Sequence, residues 1–216
     1  MRIIFGSAMW KMSTAVSLAL SLGACTPVVG IPQAESPSSI GLTTPSSGSA
    51  VRQTDANGHP LPFTNVFPRR WSNGNDGTAY EPCTAASSEI LSANDLDPAS
   101  VRDAAIADHQ TARGCRWSVL GQSSAYISQI VGNQPALEAY KLQQDEMVHW
   151  LPNTSIGGRT AAVGSSPLAT DCTTFVESGE AIVATRASVN ISPPPISEIC
   201  DKAIAFTRAT IDQIPE

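Results

Sequence analysis

Residues 61–216 predict an α+β domain, a mainly antiparallel sheet with helices packed against it and two disulfides. Three observations carry that prediction. Several short runs alternate apolar and polar residues between turn signals, the final stretch switches to a helical period, and four cysteines are interleaved with these runs. Helical and strand patterns follow one another without the strict β-α alternation of a parallel sheet, and the length fits one domain.

The elements begin with a leader. Arg2 and Lys11 precede an uncharged run from Met12 to Leu22, M-S-T-A-V-S-L-A-L-S-L. That run is far shorter than the roughly 20 apolar residues a helix needs to cross a bilayer, and it ends in small residues. Residues 1–24 therefore read as a secretory signal that is removed. Leu22-Gly23-Ala24-Cys25 resembles the lipobox of lipoprotein signal peptidase. The resemblance implies cleavage before Cys25 and lipidation of its thiol. Each buried methylene contributes about 0.8 kcal/mol, so one acyl chain binds reversibly and two or three anchor stably. The expected address is the outer, extracytoplasmic face of the cell membrane, held by lipid.

Charge narrows the partners. The chain has 13 Lys and Arg against 19 Asp and Glu, and loss of Arg2 and Lys11 with the leader moves its net charge from −6 to −8. An acidic balance argues against nucleic acid and against an electrostatic grip on anionic lipids.

From Thr26 to about Pro60 the composition turns to Pro, Ser, Gly and Thr with no apolar period. Residues 25–60 thus read as the lipidated cysteine and a flexible tether. A chain of roughly 35 such residues has a root-mean-square reach of about 30 Å. Only around Leu61 to Phe67 does an extended N-terminal strand compete with that reading.

Within the domain, Thr84 to Leu91 is a short helix candidate, and Asn94-Asp95 and Asp97-Pro98 read as turns before a second helix, Ala99 to Ile106. Cys115 to Leu120 and Ala125 to Val131 read as strands joined through Gly121-Gln122-Ser123. Pro135 to Glu146 has helical propensity, with Asn133 as its cap and Leu137, Tyr140 and Lys141 on one face. Strand signals return at Met147 to Leu151 and Arg159 to Val163 around Gly157-Gly158. Asp171 to Glu177 and Ala181 to Val189 form a hairpin about Ser178-Gly179-Glu180. Pro193-Pro194-Pro195 ends any ladder, and Ser197 to Ile214 is the longest helical pattern, with Ile199, Ala203 and Phe206 in one apolar row.

Cys83, Cys115, Cys172 and Cys200 are even in number in an exported chain, which predicts two disulfides rather than a metal site. Three pairings are possible. Cys83 with Cys115 and Cys172 with Cys200 is favoured, because each pair closes a local loop around one helical and one strand pattern. Loops of roughly 30 residues give about 3 to 4 kcal/mol each.

The succession Glu81-Pro82-Cys83, Leu96-Asp97-Pro98, Gly114-Cys115-Arg116-Trp117, Ile127-Ser128, Gly157-Gly158-Arg159-Thr160-Ala161, Asp171-Cys172 and Cys200 resembles the actinobacterial lipoproteins grouped as domain of unknown function 3558. The likeness spans about residues 78 to 215. It implies an envelope lipoprotein with an α+β domain and brings no activity or catalytic residues. The chain departs from the family's pattern before Cys200, where Ser197-Glu198-Ile199 stand in place of the common Asp-Pro.

Catalytic chemistry finds little footing. His59, His109 and His149 are the only histidines, and no two share a helix or strand face, so neither a metal nor a cofactor is expected. No G-x-S-x-G elbow or phosphate-binding glycine loop is present. Asp145-Glu146 reads as a solvated helix end. Trp117 and Trp150 are expected core anchors, with Arg116 on the opposite sheet face from Trp117. Arg159, after Gly157-Gly158, is a candidate contact for an anionic ligand, against a structural role that carries the greater weight. The expectation is a non-catalytic binding or interaction module for an envelope protein, peptidoglycan or lipid. A carrier of an apolar ligand is the alternative, and an envelope hydrolase ranks last.

Overall fold

The computed structural model describes residues 50–134 and 136–216. The expected leader, the expected lipidation site Cys25 and residues 26–49 of the expected tether lie outside the described residues, as does Pro135. Seven strands form one sheet: β1 Arg102–Asp103, β2 Ala112–Val119, β3 Gln122–Asn133, β4 His149–Ile156, β5 Arg159–Ser165, β6 Asp171–Ser178 and β7 Ala181–Val189. Helices α1 Pro82–Ala85, α2 Ser88–Ala93, α3 Leu137–Gln144 and α4 Ile196–Thr210 pack around it. The strand order is β1-β2-β3-β7-β6-β5-β4, and every pairing is antiparallel.

Tight turns fix the registers. Gly157 and Gly158 join β4 to β5 with φ of +57° and +82°, a pair of left-handed positions that glycine accepts without a Cβ penalty. The β6–β7 connection is also two residues, since Ser178 already pairs with Ala181, one residue tighter than the predicted Ser178-Gly179-Glu180 loop.

α4 covers one face. Its Ile199, Ala203 and Phe206, each fully buried, sit over Trp117, Ile127 and Ala187. Trp117 and Phe206 meet with ring centroids 5.5 Å apart. Burying side chains of this size contributes roughly 1.5–3 kcal/mol each. Farther along the same helix direction, Ile211 and Ile214 pack with Tyr80, Val131, Ile156, Val176 and Val183. The two disulfides bind the outlying helices to this face: Cys83–Cys115 ties α1 to β2, and Cys172–Cys200 ties β6 to α4, with Cα separations of 5.2 and 4.9 Å.

Several predicted boundaries move. The helix expected over Thr84 to Leu91 divides into α1 and α2, because the Ser87 hydroxyl accepts the Ile90 N–H at 3.3 Å and starts a new helix. Ala99 to Ile106 is a 3-10 turn at Pro98–Ser100 followed by β1, not a helix. Asp103 is drawn there to the Arg70 guanidinium, which holds the segment extended on the edge of β2. Asn133 closes β3 rather than capping α3. Its Oδ1 accepts the Gly77 N–H at 2.7 Å, while Glu177 Oε1 accepts the Leu137 N–H at 2.6 Å and caps the helix from another strand. The strand expected at Met147 to Leu151 runs instead from His149 to Ile156, with a register shift between Leu151 and Thr154 that accommodates Pro152 on the sheet edge.

The folded part also begins earlier than composition indicates. Residues 50–60 do not behave as tether: Thr54 bridges to Pro60, Gln53 and Asn65 exchange hydrogen bonds at 2.9 Å, and Asp55 is buried. Leu61 enters the core, and no strand forms over 61–67.

Candidate functional site

Four polar arrangements stand out, and their partners separate architecture from exposed chemistry. The deepest is ionic. Glu81 accepts Arg70 through both oxygens, at 2.7 and 3.1 Å, and Arg113 Nη1 at 3.0 Å. Arg70 Nε meets Asp103 at 2.9 Å, and Arg113 donates to the carbonyls of Asn75, Thr78 and Tyr80. Both guanidinium groups are buried and their forks are occupied, so the cluster holds residues 70–81 to β2.

Asp55 organises a second cluster. Its Oδ1 accepts the N–H groups of Asn57 and His59 at 2.8 and 2.9 Å, and its Oδ2 accepts the Thr84 hydroxyl at 2.6 Å and lies 3.0 Å from His59 Nδ1. Burial pushes the Asp55 carboxyl upward, but the hydrogen bonds from Thr84, His59 and Asn57 outweigh it and hold its pKa below the ordinary value of 3.8. A cleft of about 210 Å³ opens beside it. Thr84 donates to Asp55 rather than to the imidazole, which makes the group a clamp on α1, not a nucleophile and its base.

Arg159 is engaged by the chain itself. Nη1 donates to the Ile214 carbonyl at 2.6 Å, and Nη2 to the carbonyls of Pro215, at 3.1 Å, and Glu177. This is the structural alternative weighed for that residue: the guanidinium clasps the C-terminal tail to β5 and β6. The histidines stay apart. His59 belongs to the Asp55 clamp, His109 lies 2.8 Å from Arg69 Nη1, and His149 is exposed on edge strand β4.

The fourth arrangement lies on the sheet face opposite α4. Paired residues in antiparallel strands project to the same side, so the registers extend a single row across all seven strands. It reads Arg102, Arg116, Ser128, Arg186, Thr173, Gly164 and Trp150. The residues flanking this row along the strands, including Cys115, Trp117, Ile127, Cys172 and Ala187, belong to the core beneath α4. α3 covers only part of this outer face, where Leu137 packs with Ala162, Phe175 and Ile182. At its far end the row meets that helix, where Trp150 packs against the Leu137 cluster and Lys141 lies over its ring, and all three arginines are exposed.

Its electrostatics are unbalanced. Like charges directly opposite on adjacent strands destabilise a sheet, yet Arg102 faces Arg116. Among the described residues neither has an ion-pair partner; Arg116 lies over the Tyr126 ring, 5.1 Å from its centroid. Arg186 donates to Asp171 at 2.8 Å while its side chain remains 47% exposed. Three cations therefore meet one carboxylate on a chain whose net charge is −6.

Beyond Arg186 the row enters a hollow of about 230 Å³ bordered by Met147, Ser166, Thr173 and Phe175. Gly164 lets Val148 and Trp150 close over the strand: a Cβ there would collide with Val148 Cγ1 and lie 3.1 Å from Trp150 Cε3. Ser166 Oγ and Trp150 Nε1 are buried without a hydrogen-bond partner among the described residues. An unpaired buried donor costs about 1–3 kcal/mol. Sequence alternation placed Arg116 opposite Trp117, but its alignment with Arg102 and Arg186 depends on the β1–β2 and β3–β7 registers, which no local signal encodes.

No curated protein and no solved structure matches the chain. A family model does, over residues 20–213, and it is described as a protein of unknown function, DUF3558. With that match extending over most of the sequence, the chain belongs to the DUF3558 family.

Proposed function

We propose that this chain is an envelope lipoprotein of the actinobacterial type, cleaved before Cys25, lipidated there and held on the outer face of the cytoplasmic membrane. Its domain is a non-catalytic interaction module that engages a partner through the outer face of the sheet. The lipobox at Leu22 to Cys25 supports the address. The observation that carries the binding role is the exposed arginine row, which is left beside α3 while the opposite face is filled by Trp117, Ile199 and Phe206. That filled face favours a surface module over an internal carrier of an apolar ligand.

Two measurements test the reading. Metabolic labelling with a palmitate analogue should mark the protein, and Cys25→Ser should abolish the label. A photocrosslinking residue at Ser128 should give adducts in intact cells, whereas one at Glu198, on the exposed side of α4, should not. Label retained by Cys25→Ser would reject the anchor, and equal crosslinking from both positions would reject the face.

A further inference from the structure

We infer that the arginine row binds a linear phosphate-bearing polymer, its phosphates seated on Arg102, Arg116 and Arg186; this rests on the reading of the outer sheet face as the binding surface. The geometry selects for a narrow anionic chain. Strands lie about 4.8 Å apart, so Arg102 and Arg116 are neighbours, and Arg116 and Arg186, with Ser128 between them, are separated by about 10 Å. Arg102 and Arg116 each offer a planar fork suited to two phosphate oxygens, Arg186 offers the N–H groups that it does not give to Asp171, and the Ser128 and Thr173 hydroxyls between and beyond the arginines supply further donors. The mutual repulsion of Arg102 and Arg116 disappears when an anion bridges them. Past Arg186, a hollow bordered by Thr173 and Phe175, with the Asp171 carboxylate in its wall paired to Arg186, gives the chain a place to continue.

Two other anionic partners fit less well. An acidic peptide lying on a sheet face would find no backbone groups to pair with, because those are offered at sheet edges. A bilayer would meet α3 first: the helix stands on this same face, is about 10 Å thick, and carries exposed Glu138 with Asp145 and Glu146 at its end. Those carboxylates would approach anionic headgroups before the arginines did. A single polymer chain instead passes alongside the helix.

The test uses the full chain carrying Cys25→Ser, kept in neutral detergent, with fluorescently labelled polyphosphate as the probe and anisotropy as the readout. Binding should saturate and weaken about tenfold or more when salt rises from about 50 to 200 mM, as expected for about three phosphate contacts. Arg116→Ser and Arg186→Ser should each weaken it about fivefold or more, and the triple variant Arg102→Ser, Arg116→Ser, Arg186→Ser should abolish it. Arg208→Ser, an exposed arginine on α4, should leave it unchanged and control for total charge.

Competition with an oligomer of glycerol phosphate distinguishes an envelope phosphodiester polymer from free polyphosphate. Displacement at matched phosphate supports the first source and its absence the second, and the shared chemistry holds in both. Absence of saturable binding, wild-type affinity in a folded triple variant, or stronger competition by poly-glutamate or phosphatidylglycerol vesicles would each overturn the inference. If that happens while Ser128 still crosslinks a protein in cells, the face remains a binding surface and only the polymer is wrong.

Discussion

Glu81 and Arg70 form a two-pronged ion pair in which both side chains are sealed from solvent, with Nη1 at 2.7 Å from Oε2 and Nη2 at 3.1 Å from Oε1. Arg113 shares the same carboxylate. One anion therefore compensates two buried cations, and Asp103 supplies the remaining charge from a position 14% exposed. Such a cluster is more costly to break than to replace, since removal of one member leaves the others uncompensated.

Glu81→Gln should accordingly lower stability by about 3–5 kcal/mol. The melting temperature should fall by on the order of 10 °C. Asp103→Asn, at the more exposed end, should cost visibly less. Paired thermal and urea melts check the ranking, and equal losses would mean that the cluster does not centre on Glu81.

The disulfides make a second prediction. Each closes a loop, with sequence separations of 32 and 28 residues, for which chain entropy gives about 3–4 kcal/mol. Replacing Cys172 and Cys200 together by Ala should loosen the docking of α4 on β6 and lower the urea midpoint, with the Cys83–Cys115 loop still intact by peptide mapping. An unchanged midpoint would mean that the apolar seam of Ile199, Ala203 and Phe206 holds α4 alone.

That seam was legible before the structure. Its three residues follow a helical period, and the even cysteine count with local pairing anticipated both bridges. The alternations around Trp117, Ile127 and Val183 likewise identified β2, β3 and β7. What stayed hidden depends on partners distant in sequence. Asp103 is drawn onto the sheet edge by Arg70, Leu137 is capped by Glu177, and the outer-face row exists only once β3 lies beside β7. Residues 50–60 were hidden for another reason: a Gly- and Pro-containing segment with few apolar residues resembles a linker unless its polar side chains find fixed partners, as Gln53 and Asp55 do.

Truncation separates those two states. A chain beginning at residue 50 should melt as the chain that includes residues 25–49 does. One beginning at residue 61 loses the Asp55 clamp on Thr84 and the Gln53–Asn65 pair, and should melt several degrees lower, since about 1 kcal/mol corresponds to roughly 2–4 °C at this size. Identical melting of the two truncations would return residues 50–60 to the tether.

Asp55 gives the same segment a pH signature. Its folded pKa lies below 3.8 because the ionised carboxylate is preferred by its hydrogen-bond donors despite burial. A group with a depressed folded pKa binds protons more readily in the unfolded chain, so its contribution is fully present above the unfolded value and is lost as pH falls through the folded one. Unfolding free energy should thus drop below about pH 4, and Asp55→Asn should remove part of that drop while lowering stability at neutral pH. Thr84→Val deletes the hydroxyl that donates to Oδ2 at 2.6 Å without touching the backbone turn. It should raise the Asp55 pKa toward its ordinary value and shift the acid limb to higher pH, a change visible in the carboxyl titration by NMR. If Thr84→Val leaves the Asp55 titration where it was, the hydroxyl is not what stabilises the carboxylate, and the clamp rests on the Asn57 and His59 amides and the His59 imidazole.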